Sequence, residues 1–215
     1  MSVLAPAIED YLGVLVERLR AHLGDGLAGA WLFGSGALGD FDRARSDLDV
    51  QAVAEEAPPL AAREALAAAL SHEALACPVR GLEFVLYTRA GLADPDGPAF
   101  VLNLNTGPRM ERHVAYDAGE DPRFWFVLDV AIGREAGRPL AGPPPAEVFP
   151  RLPRTLVVAA LRDALGWHVA HDPAAAVLAA CRAWAWARDG RWLPKGDAAR
   201  WAARRLGDPA PVEAA

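Results

Sequence analysis

Cysteine is scarce in this chain, with two residues in 215, at Cys77 and Cys181. Their separation matches no metal-binding motif, and we expect two reduced, buried core thiols rather than a disulfide. Lysine is rarer still, because Lys195 is the only one. Basic residues number 22 against 28 acidic ones, a formal charge of -6, which argues against a general nucleic-acid-binding surface.

Long apolar runs are missing as well. No stretch approaches the roughly 20 apolar residues that a membrane-spanning helix needs. The first residues, MSVLAPAIEDYL, have no basic residue ahead of an apolar segment, which predicts no signal peptide. We therefore expect a cytoplasmic protein without a membrane partner. Hydrophobic residues nevertheless make up 53% of the chain, enough to build a sizeable core.

Hydrophobic periodicity predicts a mixture of helices and strands in the first part of the chain. Apolar residues recur at helical spacing in some segments, whereas others are short, apolar or alternating. The predicted elements are a helix over 6–23, strands over 28–33 and 48–54, a helix over 58–75, a strand over 80–88 and a helix over 123–136.

Proline is concentrated in residues 137–153, GRPLAGPPPAEVFPRLP. We expect this segment to resist both helix and sheet and to act as a linker. Only helical patterns follow it. The sequence therefore predicts an α/β (α+β) domain with a mixed sheet over residues 1–148, followed by a small all-α domain over residues 149–215.

Three carboxylates carry the chemistry of the first domain. In SDLDV, Asp47 and Asp49 are two residues apart at the start of a predicted strand, so their side chains face the same side. Two like charges this close are costly unless a cation lies between them, and Mg²⁺ prefers oxygen ligands. Glu83 interrupts another apolar strand, GLEFVLY, and is a candidate metal ligand or general base. The alternative for Glu83 is a structural ion pair with an arginine.

The residues ahead of the aspartates suit a phosphate. In WLFGSGALGDFDRARSDLDV, an apolar run stops at Gly34, which has no side chain to keep a phosphate away from the backbone. Ser35 and Ser46 could donate hydrogen bonds from their hydroxyl groups. Glycine and serine before a loop are common, so the prediction depends on their combination with the acidic residues.

This combination resembles the nucleotidyltransferase superfamily: Gly-Ser, a loop of about ten residues, Asp-x-Asp, and a separate acidic residue in a later strand. The stretches VLNLNTGPRM, LDVAIGREAGRPLAGPPPAEVFPRLP and CRAWAWARDGRWLPKGDAARWAARRL are similar, in order, to aminoglycoside adenylyltransferases of the streptomycin/spectinomycin type. That resemblance covers nearly the whole chain. It implies a nucleotidyltransferase domain followed by a helical domain.

The resemblance also implies an activity: Mg²⁺-dependent transfer of AMP from ATP to a hydroxyl of an aminoglycoside, with two metal ions and release of pyrophosphate. Asp47 and Asp49 match the family's metal ligands, and Glu83 matches its general base and a further ligand. Arg182 and Lys195 match residues that contact ATP, and Asp172 matches an acidic residue near the drug. The partners would be ATP and the aminoglycoside, and the protein would be a monomer.

Two departures from the family pattern affect the substrate more than the reaction. The sequence ends soon after WAARRLGDPAPVEAA, before a last helical segment that contributes to the family's nucleotide site, and GWHVAHDP is shorter than its counterpart. Two alternatives therefore stay open: a nucleotidyltransferase that modifies a protein or another metabolite, and a non-catalytic nucleotide-binding module. Other acidic residues could attract a polycationic drug, namely Glu111, Asp117, Glu120 and Asp121.

Overall fold

The computed structural model describes residues 4–207 and 210–213. Two compact units make up the chain: the first ends at Leu152 and the second begins at Pro153. This division lies four residues beyond the one expected from the sequence.

The first unit is built on a six-stranded sheet with the strand order β5-β4-β3-β2-β1-β6. Strands β2 and β3 run parallel, and every other neighbouring pair is antiparallel. The prediction of a mixed sheet is therefore confirmed. The strands are β1 (Leu27–Leu32), β2 (Leu48–Ala54), β3 (Leu82–Thr88), β4 (Phe100–Gly107), β5 (Met110–Ala115) and β6 (Arg138–Ala141).

Helices cover both faces of this sheet. The helices predicted over 6–23 and 123–136 are confirmed, and the helix predicted over 58–75 is shorter than expected. The helices of the unit are α1 (Pro6–Leu23), α2 (Gly34–Leu38), α3 (Leu60–Leu70), α4 (Arg89–Leu92), α5 (Arg123–Ala136) and α6 (Pro145–Val148), with a 3-10 turn at Gly24–Gly26.

Each face of the sheet has its own apolar core. One core joins α1 and α3 to inward-facing strand residues such as Val50 and Phe84, and it includes Cys77. The other joins α5 to the opposite face, where Val85 and Tyr87 lie. Because side chains alternate along a strand, Glu83 and Tyr87, each two residues from Val85, point to the same face of the sheet as Val85, which is the α5 face. The candidate site occupies the polar end of that face.

Strand β6 contradicts the expectation that residues 137–153 resist regular structure. Arg138–Ala141 pairs antiparallel with β1, with Pro139 opposite Trp31. Proline is tolerated there because β6 is an edge strand, and the missing N–H removes no bond to a further strand. The indole Nε1 of Trp31 donates to the carbonyl of Pro143 at 2.8 Å, so the proline-rich segment is fastened to the sheet.

The described part of the second unit contains only helices, as predicted. Cys181 is buried in its core, and Trp201 packs edge-on against Trp184 with ring centroids 5.0 Å apart. The helices are α7 (Arg154–His171), α8 (Pro173–Asp189), α9 (Lys195–Ala203) and α10 (Ala210–Glu213). Across the described residues of both units, none of the helices is long and apolar enough to cross a membrane.

Candidate active site

Asp49 and Glu83 stand side by side on the α5 face of the sheet. They are Cα partners in the parallel pair of β2 and β3. Neighbouring strands lie about 4.7–4.9 Å apart, and directly paired side chains point to the same face. Both residues are partly exposed, whereas Leu48 and Leu82 beside them turn into the α1–α3 core. The sequence placed these carboxylates in separate strands, and the strand register brings them together.

Gly34 packs directly against the carboxylate of Asp49. A Cβ atom added to Gly34 would lie only 1.8 Å from Asp49 Oδ2. Gly34 also has a φ of +56°, a conformation that other residues rarely adopt. The backbone is fixed here as well, since the N–H of Phe33 donates to the Asp49 carbonyl at 2.8 Å. The chain thus requires glycine at this position for two separate reasons, and Asp49 is the group that approaches it.

Asp47 lies just before β2 and forms an ion pair with Arg80. The Arg80 Nη1 atom is 2.8 Å from Asp47 Oδ2, and the carboxylate side chain is only 19% exposed. Ser46 accepts a hydrogen bond from the backbone N–H of Asp42 at 3.0 Å, so its hydroxyl helps to close the loop ahead of β2. Ser35 lies in the first turn of α2, next to Gly34.

The oxygen atoms of this site suit Mg²⁺ bound together with a nucleotide. Among the described residues, no group of three His, Cys, Asp or Glu side chains is close enough to enclose a metal ion by itself. Mg²⁺ rarely uses such an all-protein site, because it keeps waters or substrate phosphates in its shell and takes one or two carboxylates. The pair Asp49 and Glu83 meets that requirement, and Asp47 would join them after leaving Arg80.

A buried polar group lies behind Asp49 in the same strand. Gln51 is 1% exposed, and its Nε2 atom lies 3.5 Å from Asp129 Oδ2 on α5. Burial raises the pKa of Tyr87 well above its ordinary value, and the negative charge of Asp129 adds to that rise. These contacts link α5 to the sheet next to Asp49 and Glu83.

The sequence alone did not predict that polar side chains of β4 and β5 lie on the same face of the sheet as Glu83. Asn105 is the Cα partner of Glu83, and His113 is the partner of Asn105. In the loop before α5, Asp121 accepts hydrogen bonds from Asn103 and His113. The alternation of polar and apolar residues in FVLNLNTG could have predicted β4. The contacts of Asp121 with side chains of β4 and β5 could not be predicted, because no local sequence pattern indicates them.

The family-implied residues of the second unit lie on its helices or at a helix end. Arg182 is in the middle of α8, and Lys195 is the first residue of α9. Asp172 precedes α8 and accepts a hydrogen bond from the N–H of Ala175 at 3.0 Å, so it caps this helix. In the same unit, Trp186 stacks on Trp192 with ring centroids 5.0 Å apart.

Comparisons with known proteins agree with this description. Residues 147–211 match the family model of the aminoglycoside adenylyltransferase C-terminal domain. The fold is similar to the crystal structure of spectinomycin adenyltransferase AAD(9) from Enterococcus faecialis with ATP and spectinomycin, with a TM-score of 0.69 and 19% sequence identity. That similarity covers 92% of this chain and 83% of the other. No curated protein sequence gives a significant match.

The resemblance that the sequence motifs indicated is therefore confirmed at two levels. The C-terminal match lies almost entirely within the helical unit, and the structural match extends over the mixed sheet as well. In the sequence of its C-terminal unit and in its fold, the chain is similar to the aminoglycoside adenylyltransferases.

Proposed function

We propose that this protein transfers AMP from ATP to a hydroxyl group of an aminoglycoside of the streptomycin/spectinomycin type. The observation that carries the proposal is the pairing of Asp49 with Glu83 in adjacent parallel strands, with Gly34 against the Asp49 carboxylate. Two partly exposed carboxylates at this spacing suit a reaction that needs a cation beside a negatively charged phosphate.

In the proposed reaction, the acceptor oxygen attacks the α-phosphorus of ATP. A new oxygen–phosphorus bond forms, the bond from the α-phosphorus to the pyrophosphate oxygen breaks, and Glu83 takes the proton of the attacking hydroxyl. Asp49 and Asp47 would hold Mg²⁺, two ions by the family resemblance. When bound, Mg²⁺ would neutralise phosphate charge and orient the triphosphate for attack. Glu83 would then act as base and share in holding the metal.

Several residues are proposed to bind the nucleotide. Gly34 and Ser35 would contact phosphate through the start of α2, and Ser46 would do so from the loop before β2. Arg182 and Lys195 would supply positive charge, which stabilises the charge that builds up as pyrophosphate leaves. Their support is the family match, which spans both positions.

The acceptor is proposed from two comparisons and from the net charge. The similar enzyme AAD(9) was solved with ATP and spectinomycin, and the C-terminal match is to an aminoglycoside-modifying family. The net charge of -6 also favours a cationic substrate over nucleic acid. Asp172 would contribute charge near the drug in addition to capping α8. Use of ATP implies a cytoplasmic location, and the simplest working unit is a monomer.

The test is pyrophosphate release from ATP and Mg²⁺ across a panel of aminoglycosides, with the wild type, Asp49→Asn and Asp10→Asn. Asp10 is exposed on α1, so its variant removes the same charge away from the site. We expect drug-dependent release by the wild type and Asp10→Asn and none by Asp49→Asn. Binding of ATP and Mg²⁺ without release for any drug would overturn the substrate and favour a protein or metabolite acceptor, or a non-catalytic module.

A further inference from the structure

The acidic residues between β5 and α5 are not equivalent. Glu120 accepts hydrogen bonds from the backbone N–H groups of Tyr116 and Asp117, at 3.1 and 2.9 Å, so it stabilises the loop to which it belongs. Asp117 does the same through the N–H of Gly119 at 2.8 Å. Asp121 makes a different set of contacts, with side chains of the sheet rather than with its own loop.

Asp121 is held by two strands at once. Its Oδ2 atom accepts a hydrogen bond from Asn103 Nδ2 at 2.9 Å, and His113 Nε2 lies 2.9 Å from Oδ1 and 3.1 Å from Oδ2. The Asp121 side chain is 14% exposed, and Asn103 is 8% exposed. Burying an amide in mid-strand is costly without a partner, and Asp121 supplies that partner. We call Asn103, His113 and Asp121 the Asp121 cluster.

The strand register puts the Asp121 cluster on the same face as Glu83. Across four adjacent strands the paired residues are Asp49, Glu83, Asn105 and His113. Asn103 is two residues from Asn105, on the same side of β4. Asp49 flanks Glu83 on one side, and the Asp121 cluster lies on the other. An acceptor whose hydroxyl reaches Glu83 from the side away from Asp49 would therefore contact this cluster.

We propose that Asp121, oriented by Asn103 and His113, binds a cationic amine or guanidinium group of the acceptor. This inference rests on the proposed function, because it uses Glu83 as the base. A carboxylate offers about four acceptor positions, so the contacts to Asn103 and His113 leave room for a donor from the ligand. None of the four paired residues of the row from Asp49 to His113 is an arginine or a lysine.

The test compares Asp121→Asn with the control Glu120→Gln. The control removes one negative charge at the neighbouring residue, and the glutamine side-chain oxygen can still accept the hydrogen bonds from the backbone N–H groups of the loop. Binding of streptomycin and spectinomycin is measured by isothermal titration calorimetry, alongside KM and kcat from pyrophosphate release. A charge-assisted hydrogen bond to the ligand predicts that Asp121→Asn weakens drug binding about 10- to 100-fold. We expect the KM for the drug to rise with little change in kcat or in the KM for ATP, and Glu120→Gln to bind like the wild type.

Equal drug affinity in Asp121→Asn and the wild type would overturn the assignment of Asp121 while leaving the proposed reaction intact. A second measurement needs no variant: wild-type affinity for either drug should fall as salt is raised, because an ionic contact is screened. Salt-independent binding, or no binding of either drug, would also overturn it. If neither drug binds, the nucleotidyl-transfer reaction is tested separately, by measuring pyrophosphate release with uncharged polyol acceptors.

Discussion

Replacing Gly34 with alanine should separate the two roles of this position, which are backbone conformation and contact with Asp49. The added Cβ would lie 1.8 Å from Asp49 Oδ2, whereas real Cβ atoms essentially never come within 3.0 Å of another atom. The carboxylate therefore has to move by more than 1 Å. Misplacement of a catalytic group by about 1 Å can cost about 100-fold in rate, so we expect kcat to fall by about that factor.

Gly39 provides the matched control for Gly34→Ala. It also has a positive φ, +87°, but a Cβ atom there would meet nothing within 4 Å. Each substitution should destabilise the protein by about 1–2 kcal/mol, because alanine disfavours positive φ. Thermal unfolding would report that loss as a Tm lowered by about 2–8 °C for a chain of this size. Only Gly34→Ala should lose activity in the pyrophosphate-release assay. Equal kcat values for Gly34→Ala and Gly39→Ala would refute the reasoning.

Four further substitutions test other contacts. Gly133→Ala on α5 would put a Cβ atom 2.0 Å from the phenylalanine ring that faces it, and urea unfolding should show a loss of about 1–3 kcal/mol. Gly166 lies in α7, and a Cβ atom added there would meet no other atom within 4 Å. Gly166→Ala should therefore stabilise the protein by up to about 1 kcal/mol, and a loss of stability would contradict the conclusion that this position has space for a side chain. Arg80→Gln should lower the Mg²⁺ concentration for half-maximal activity, because Asp47 no longer has to leave an ion pair; an unchanged Mg²⁺ requirement would count against that competition. Tyr87→Phe should be neutral or stabilising by thermal unfolding, since its buried hydroxyl has no hydrogen-bond partner among the described residues, whereas a loss above about 1 kcal/mol would point to a bound water.

Much of the first unit could be predicted from local pattern. The strands β2 and β3 are apolar runs interrupted by one acidic residue each, so Asp49 and Glu83 could be identified without knowing which strands are neighbours. Strand β5 could not, because MERHVA is an exposed edge strand whose polar residues follow no alternation. Proline concealed β6, since an edge strand tolerates a residue that the middle of a sheet excludes.

The parts of the site that the sequence did not predict depend on contacts between distant residues. The ion pair of Asp47 with Arg80 joins two strand ends 33 residues apart. The Asp121 cluster needs the β4–β5 register and the loop before α5 together. Neither contact leaves a periodic pattern, because each joins residues that are far apart in the sequence. Strand register, rather than residue type, determines which polar side chains share the α5 face.

The most direct test of the proposed chemistry is the product formed by Glu83→Gln compared with the wild type. Purified protein would be incubated with ATP, Mg²⁺ and spectinomycin or streptomycin, and the drug analysed by mass spectrometry for an added AMP group. If Glu83 accepts the proton of the attacking hydroxyl, the wild type should convert the drug to its AMP adduct. Glu83→Gln should form the adduct at a rate at least about 100-fold lower. An AMP adduct formed equally well by Glu83→Gln would contradict the assignment of the base, and the absence of any adduct from the wild type would contradict the proposed reaction.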